Sequence, residues 1–506
     1  MPRRSSNRRN KPDAFSIPQI PFQHVENPYP PLEILNAEQV SSIHDTSMKV
    51  LEKVGMRIDD PQTRELLENA GCKVNHDTTQ VLFDRGFIEQ QVAKAPSTVK
   101  VRARNDERSL TFGGNRINFM SVAGPAFLTD SDKGRRPGTF AELQDALRIL
   151  QSLNVAHGAN GGAFASMDLH PETRHLDTLN ACFTLTDKVA PVSLMGRTRA
   201  QDAIDMACIM FQTDYEGLRK RPALYGNINT NSPLVLDREM AQGAMTFAEH
   251  GQAVIVTPFT LSGAMSPVTI PGALVQQNAE ALAGISFIQT VNPGNPVMYG
   301  SFTSNVDMKS GSPAFGTPEY VKATLASGQL ARHYGLPIRA SAPNASNSVD
   351  AQAAYETQMS LWACVMGHIN LVNHSFGWLE GGLCCSFDKM ILDAEMVQMM
   401  VENLKPLEIN EDTLGLSAIE EVGSGGHFFG AAHTMERYNN AFYSPILSDW
   451  QNFENWSDSG AQSATERATK IWKHLLEVYE APPVAPSISK ALDTFIERRK
   501  IEILGA

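Results

Sequence analysis

The residues that could do chemistry in this chain are few, and most of them do not ionise. Trp378-Leu379-Glu380 sets a carboxylate beside an indole, just after a short apolar run that ends in Asn373-His374. Both groups attract a cation, and each aromatic face holds a quaternary ammonium ion with roughly 0.5–2 kcal/mol. Phe119, Phe164, Tyr299, Phe302 and Phe376 stand near the ends of similar runs. Taken one at a time, such aromatics also read as core filler. The other residues at run ends are amides, hydroxyls, small residues and one arginine: Gly124, Gly162, Arg197, Asn229, Pro258, Ser301, Ser341 and Asn344. Paired carboxylates are scarce, which argues against a glycosidase. No dense His/Asp cluster suggests a metal-dependent hydrolase. His170 and His175 lie on different faces of a helix and read as surface histidines. His427 and His433 lie beside the turn Gly423-Ser424-Gly425-Gly426, where zinc, a structural loop and a substrate-lining histidine are all open readings.

The elements that must position these residues form a rhythm. Apolar or β-branched runs that end in Gly, Asn, Ser or Pro occur at 116–122, 155–163, 191–196, 223–229, 253–258, 297–302, 337–342 and 369–374. Helical patterns alternate with them at 139–152, 173–187, 199–212, 237–250, 272–289, 317–333, 351–366 and 388–402. Thr139 with Glu142 makes a capping-box pattern, and Thr317-Pro318 puts proline at a first helical position. Eight strand–helix units predict an α/β chain folded as a (β/α)8 TIM barrel, whose chemistry lies at the C-terminal ends of the strands. That rule selected the residues above. The predicted organisation is a basic disordered leader at 1–34, an N-terminal cap at 35–115 with helices at 38–56 and 61–70, a barrel at 116–410 and a C-terminal extension at 411–506. Helical patterns at 434–441, 461–479 and 487–502 fill the extension. Neither G-x-G-x-x-G nor a P-loop pattern is present, so nucleotide cofactors lose support.

Composition narrows the partners. The 506 residues are 42% hydrophobic and 19% charged, enough apolar content for a sizeable core and too much for wholesale disorder. Lys+Arg of 43 against Asp+Glu of 55 gives −12. Arg3, Arg4, Arg8, Arg9 and Lys11 with no acid among residues 1–12 leave −17 on the rest. An acidic body is a poor nucleic-acid binder. The leader reads as a solvated arm or as a targeting or RNA-binding one, and it lacks the apolar stretch of a secretory signal. No run of 18 apolar residues suggests a membrane span. The six cysteines, Cys72, Cys182, Cys208, Cys364, Cys384 and Cys385, form no C-x-x-C pair. A reducing cytoplasm is therefore expected, without a disulfide framework or a thiol-ligated zinc.

Several segments together resemble the trimethylamine methyltransferase family. They are Pro267-Val268-Thr269 through Ala279-Glu280, Asp350-Ala351-Gln352-Ala353-Ala354-Tyr355-Glu356, His374-Ser375-Phe376-Gly377-Trp378-Leu379-Glu380-Gly381-Gly382-Leu383, Val422 to Phe428, His433-Thr434, Ser448-Asp449-Trp450 and Asn455-Trp456. The resemblance runs from about residue 35 to the C-terminus. It is to the branch without pyrrolysine, which is similar to glycine betaine:corrinoid methyltransferases. Where other members carry pyrrolysine, this chain reads Asn344-Ala345-Ser346-Asn347-Ser348-Val349, with no lysine.

The resemblance implies a (β/α)8 barrel that passes a methyl group from a methylated amine to cobalt(I). It also implies that the corrinoid (cobalamin) sits on a cognate partner protein and that this chain binds no cofactor or metal itself. The missing pyrrolysine implies a quaternary amine such as glycine betaine. A tertiary amine, a sulfonium compound and a non-catalytic amine-binding role are the alternatives. The implied substrate-binding residues are His374, Trp378, Glu380, Phe376, Tyr299, Phe119, Arg197 and Asn229, with His374 matching a family histidine and Arg197 or His374 taking the carboxylate. Tyr355 and Glu356 match the family stretch, and packing is an equal reading for them. No catalytic residue is assigned, and a homo-oligomer is an open possibility.

Overall fold

A computed structural model describes residues 17–505. Its centre is a curled parallel sheet. The strands are β1 (Arg116–Phe119), β2 (Ala190–Ser193), β3 (Leu224–Thr230), β4 (Ala253–Ser262), β5 (Val297–Gly300), β6 (Ile338–Ser341) and β7 (Leu371–Asn373). They pair in parallel in the order β2-β3-β4-β5-β6-β7-β1. The expected strand at 155–163 forms no ladder. It supplies one residue, Gly158, in parallel bridges to Met120 after β1 and to Val189 before β2. A Cβ there would meet the end of the Met120 side chain and, at 3.0 Å, the Val189 carbonyl oxygen. The chain then turns into a short 3-10 segment, Asn160–Gly162, instead of continuing as a strand.

Helices follow the strands: α1 (Ala37–Lys53) in the cap, then α2 (Phe140–Ser152), α3 (Arg174–Leu185), α4 (Gly196–Met210), α5 (Arg238–Glu249), α6 (Ile270–Val291), α7 (Pro318–His333), α8 (Ala351–Met366) and α9 (Phe387–Asn403). Their starts follow the sequence signals. Thr139 and Glu142 form the expected capping box of α2, and Thr317 caps α7 with proline in its first turn. The extension adds α10 (Ala464–Glu477) and α11 (Pro486–Leu504). Trp472 Nε1 on α10 donates to Asp388 Oδ1 on α9 at 2.8 Å. No helix of the described residues is long and apolar enough to cross a membrane.

Of the expected leader at 1–34, residues 1–16 lie outside the described residues. Residues 17–34 make contacts with the body. Val25–Glu26 pairs antiparallel with β1 and covers part of its edge. Asn27 Nδ2 donates to the Val365 carbonyl at 2.8 Å.

Strand pleating sorts the side chains into two cores, since alternate residues point to opposite faces. Ile117, Leu224, Val254, Val256, Ile338, Ala340 and Val372 pack into the main core with the helices. Met120, Val189, Tyr225, Ala253, Ile255, Met298 and Leu371 form a second core inside the curl. That inner core also takes Val99, Val101, Leu110 and Phe112 from the antiparallel strands Val99–Val101 and Leu110–Phe112. This hairpin plugs the end of the sheet at which the strands begin.

Candidate functional site

Above the apolar plug the same inward face turns polar. Asn227 and Asn229 of β3, Thr257 of β4, Arg339 and Ser341 of β6 and Asn373 of β7 continue the inward register. Thr257 Oγ1 donates to Asn227 Oδ1 at 2.5 Å, and Asn227 Nδ2 donates to Asn229 Oδ1 at 2.7 Å. Gly300 on β5 leaves the room for Thr257, because a Cβ would meet its Oγ1 at 2.3 Å. Arg339 is buried, and its guanidinium lies 5.3 Å from the Phe302 ring centroid. Burial pulls its pKa down to about 10, so the group stays charged at neutral pH.

An aromatic group sits over these polar residues. Phe302 begins the strand Phe302–Val306, which pairs with the far half of β4. Its ring stacks on Phe315 at 5.4 Å, and Trp378 stands edge-on to both at 6.0 and 6.1 Å. His374 lies against Trp378, ring centroids 4.2 Å apart, and 5.5 Å from Phe302. Burial, aided by the Arg339 charge, holds the His374 pKa well below 6.5, so this imidazole is neutral. Its Nδ1 has no hydrogen-bond partner, and neither do two other buried polar atoms, Ser341 Oγ and Asn344 Oδ1. Such orphaned groups carry a desolvation cost of roughly 1–3 kcal/mol each, which a ligand can remove.

The turn that carries this group is strained. His374 has φ +60° and Glu380 φ +54°, both left-handed. Left-handed backbone costs a non-glycine residue of order 1–3 kcal/mol and clusters at functional sites. Gly382 is obligatory, since a Cβ would lie 2.6 Å from the Trp378 ring. The loops after β6 and β7 lock together there: Trp378 Nε1 donates to the Asn344 carbonyl at 3.0 Å, and Asn344 Nδ2 donates to the Trp378 carbonyl at 2.6 Å. Glu356 on α8 accepts from the Ala345 and Ser346 amides at 2.8 and 3.2 Å, whereas Tyr355 is exposed.

The expected site residues divide. His374 and Trp378 come together, and Asn229 lies on the same inward face, exposed. Glu380 is near them in sequence, but its carboxylate is held by Arg135 Nε, with both oxygens at 2.9 Å. Phe376 is fully buried in the main apolar core. Three others do not join this group. Tyr299 points outward, where its hydroxyl donates to Asn278 Oδ1 on α6 at 3.1 Å. Phe119 also belongs to the helix-facing core, beside His157. Arg197 sits past its strand on α4 and pairs with Glu249 at 3.0 Å, with Gln62 at 3.3 Å. Strand ends were chosen without regard to pleat parity, and parity decides which side chains enter the curl.

Sequence reasoning missed Asn227, Thr257, Arg339 and Phe315. Arg339 had a signal, being the single charge inside the run 337–342 and two residues before Ser341. Phe315 follows a hairpin and had none. Among the described residues no group of three or more His, Cys, Asp or Glu could hold a metal ion. His175 pairs with Asp202 at 2.9 Å, and His433 contacts the Asp412 carbonyl at 3.2 Å.

Comparison with known proteins bears on what such a site acts upon. A family model described as trimethylamine methyltransferase (MTTB) matches residues 2–504. A glycine betaine methyltransferase of Desulfitobacterium hafniense (strain Y51) is 35% identical over 475 residues, 94% of this chain and 98% of that protein. Trimethylamine methyltransferase MttB of D. hafniense (strain DSM 10664 / DCB-2) is 27% identical over 467 residues, 92% of this chain and 93% of that protein. A crystal structure of a hydroxylamine MtmB complex aligns over 90% of this chain and 94% of its own, with TM-score 0.49 and 9% identity.

Proposed function

Because the chain belongs to the trimethylamine methyltransferase family, we propose that it moves a methyl group from a betaine, a quaternary amine bearing a carboxylate, to the cobalt of a corrinoid protein. The observation that carries the betaine reading is the buried Arg339 against the Phe302 ring, which itself packs with Phe315 and Trp378. A betaine carries a carboxylate of opposite sign to Arg339, and a charge-assisted arginine–carboxylate pair is among the stronger polar contacts. Neutral His374 adds no second positive charge, and its Nδ1, as N–H, donates to a carboxylate oxygen. The ring faces take the ammonium end. The relative from D. hafniense strain Y51 named for glycine betaine supports the same reading.

The chemistry asks little else of the protein. The corrinoid cobalt, held by the partner, supplies the nucleophile that accepts the methyl group. A quaternary nitrogen leaves as a neutral tertiary amine, so this chain has no proton to donate. That suits a site in which Glu380 is already paired with Arg135. The work of Arg339, His374 and the rings is to fix one N–methyl bond in line with the acceptor and to exclude water. The rings must not grip the cation too strongly, because its charge is lost in the transition state.

The same reading takes the curled sheet as a closed (β/α)8 barrel, with Gly158 as its second strand position, and the corrinoid protein as docking where the strands end. It takes residues 35–115 as cap, 116–410 as barrel and 411–506 as extension. It keeps the cytoplasm as the compartment, which the six free cysteines support, and leaves a homo-oligomer open. A sulfonium carrying a carboxylate has the same charges, so the assay includes one. Purified protein is mixed with each candidate and a cobalt(I) corrinoid, and methylcobalt formation is followed in the visible spectrum. Turnover of a betaine and not of trimethylamine is the expected result. Methylcobalt from trimethylamine alone, or from no candidate, overturns the proposal.

A further inference from the structure

Behind Trp378 lies a pair of charges with no solvent at all. Lys389 and Asp393, one turn apart on α9, have side chains 0% exposed and form an ion pair. Desolvation pushes the lysine pKa down and the aspartate pKa up. Burying such a pair is a poor way to gain stability, since apolar residues of similar volume usually do as well or better. Its hydrogen bonds point to another purpose. Asp393 Oδ2 accepts from the Gly377 amide, next to Trp378, at 2.7 Å. Lys389 Nζ donates to Thr357 Oγ1 at 3.0 Å. Thr357 Oγ1 in turn accepts from Asn344 Nδ2 at 3.2 Å, and that amide nitrogen also donates to the Trp378 carbonyl.

We infer that the Lys389–Asp393 pair is a positioning element that holds Trp378 in the site from two sides, through Gly377 and through Thr357 and Asn344. The effect on substrate affinity rests on the betaine reading above; the effect on the indole does not. The pair touches no substrate itself. It fixes the backbone on the amino side of Trp378 by one route and the carbonyl of Trp378 by the other. The indole is then kept against His374 and in the space that Gly382 leaves. A buried network with every route connected specifies one geometry more sharply than apolar packing does.

Thr357→Val cuts one route and leaves the ion pair intact. The fluorescence of Trp378, isolated as the difference from Trp378→Phe, should shift to the red and become more accessible to acrylamide in Thr357→Val. Betaine affinity should fall about tenfold, equivalent to about 1.4 kcal/mol. Thr357→Ser, which keeps the hydroxyl, should restore both. If Thr357→Val fails to fold, Asp393→Asn carries the same readouts through Gly377. Unchanged emission and quenching in the folded variants, or a Thr357→Ser protein no better than Thr357→Val, overturns the inference. If the parent protein binds no methylated amine, the proposed function fails, and the emission of ligand-free Thr357→Val still decides the role of the pair.

Discussion

The inward face of the sheet changes character within a single register step. On β3 it passes from Tyr225 to Asn227, on β4 from Ile255 to Thr257, on β5 from Met298 to Gly300 and on β7 from Leu371 to Asn373. Below the step, apolar side chains interlock with the hairpin of Val99–Val101 and Leu110–Phe112. Above it stand amides, two hydroxyls, a glycine and the charge of Arg339. One set of strands thus supports two regions, and the lower close-packed half gives the upper half a rigid floor. A polar lining over an apolar plug suits a pocket that must hold a charged ligand in a fixed pose.

The largest effect should come from making the upper half resemble the lower. Arg339→Met keeps the bulk and removes the charge. It should lower kcat/KM for a betaine by about 100-fold or more, the loss of about 3 kcal/mol expected when a buried charge pair loses a partner. The melting temperature should not fall, because a buried charge is costly to keep. Activity within a few-fold of the parent would remove Arg339 from the site. The converse change belongs below the step: Met298→Ala should cost ~2–5 kcal/mol of stability in denaturant titration and leave KM nearly unchanged. A large rise in KM at unchanged stability would show that the two halves are not separate.

Much of this division was legible in the sequence, and its limits are physical. Strand and helix positions follow from run length and caps, as Thr139 with Glu142 and Thr317-Pro318 show. The parity within each strand was equally available, because a period of two needs only one anchor. Ser341 is a candidate by its place at the strand end, and Arg339 lies on the same face two residues earlier. Tyr299 and Phe119 also stand near strand ends, but the opposite parity turns them toward the helices. The aromatic group was less accessible. Phe302, Phe315, His374 and Trp378 meet only because a hairpin after β5 folds toward the loop after β7, and no local pattern encodes that approach. Gly158 was counted as part of a strand because its neighbours are small and apolar, but its bridging depends on Met120, far along the chain.

His374 gives a pH test between these effects in size. Its pKa is lower in the folded protein than the ordinary 6.5. Below that value the unfolded chain gains a proton that the folded site refuses, so stability falls as pH drops through 6.5 and onward. His157, held near pKa 4, adds to the same trend. His374→Ala should therefore lose less stability than the parent between pH 6.5 and 5, while binding a betaine about tenfold more weakly at pH 7.5, roughly the worth of one buried hydrogen bond to a charged group. An acid stability profile identical to the parent would mean that His374 already accepts a proton in the folded state.

The smallest expected effect probes the step itself. Thr257 is the first polar inward residue of β4, and its hydroxyl donates to Asn227, which in turn orients Asn229. Thr257→Val preserves shape and moves the apolar floor up by one residue on one strand. It strands the Asn227 carbonyl oxygen, a loss of ~0.5–1.5 kcal/mol by the usual worth of a neutral hydrogen bond. If the upper half works as a pre-formed polar lining, that loss should appear in substrate affinity, a three- to tenfold rise in Kd by calorimetry, with Tm nearly constant. If Thr257 only packs, the loss should appear in Tm, with Kd unchanged. The two outcomes separate a register step that serves the ligand from one that merely ends the core.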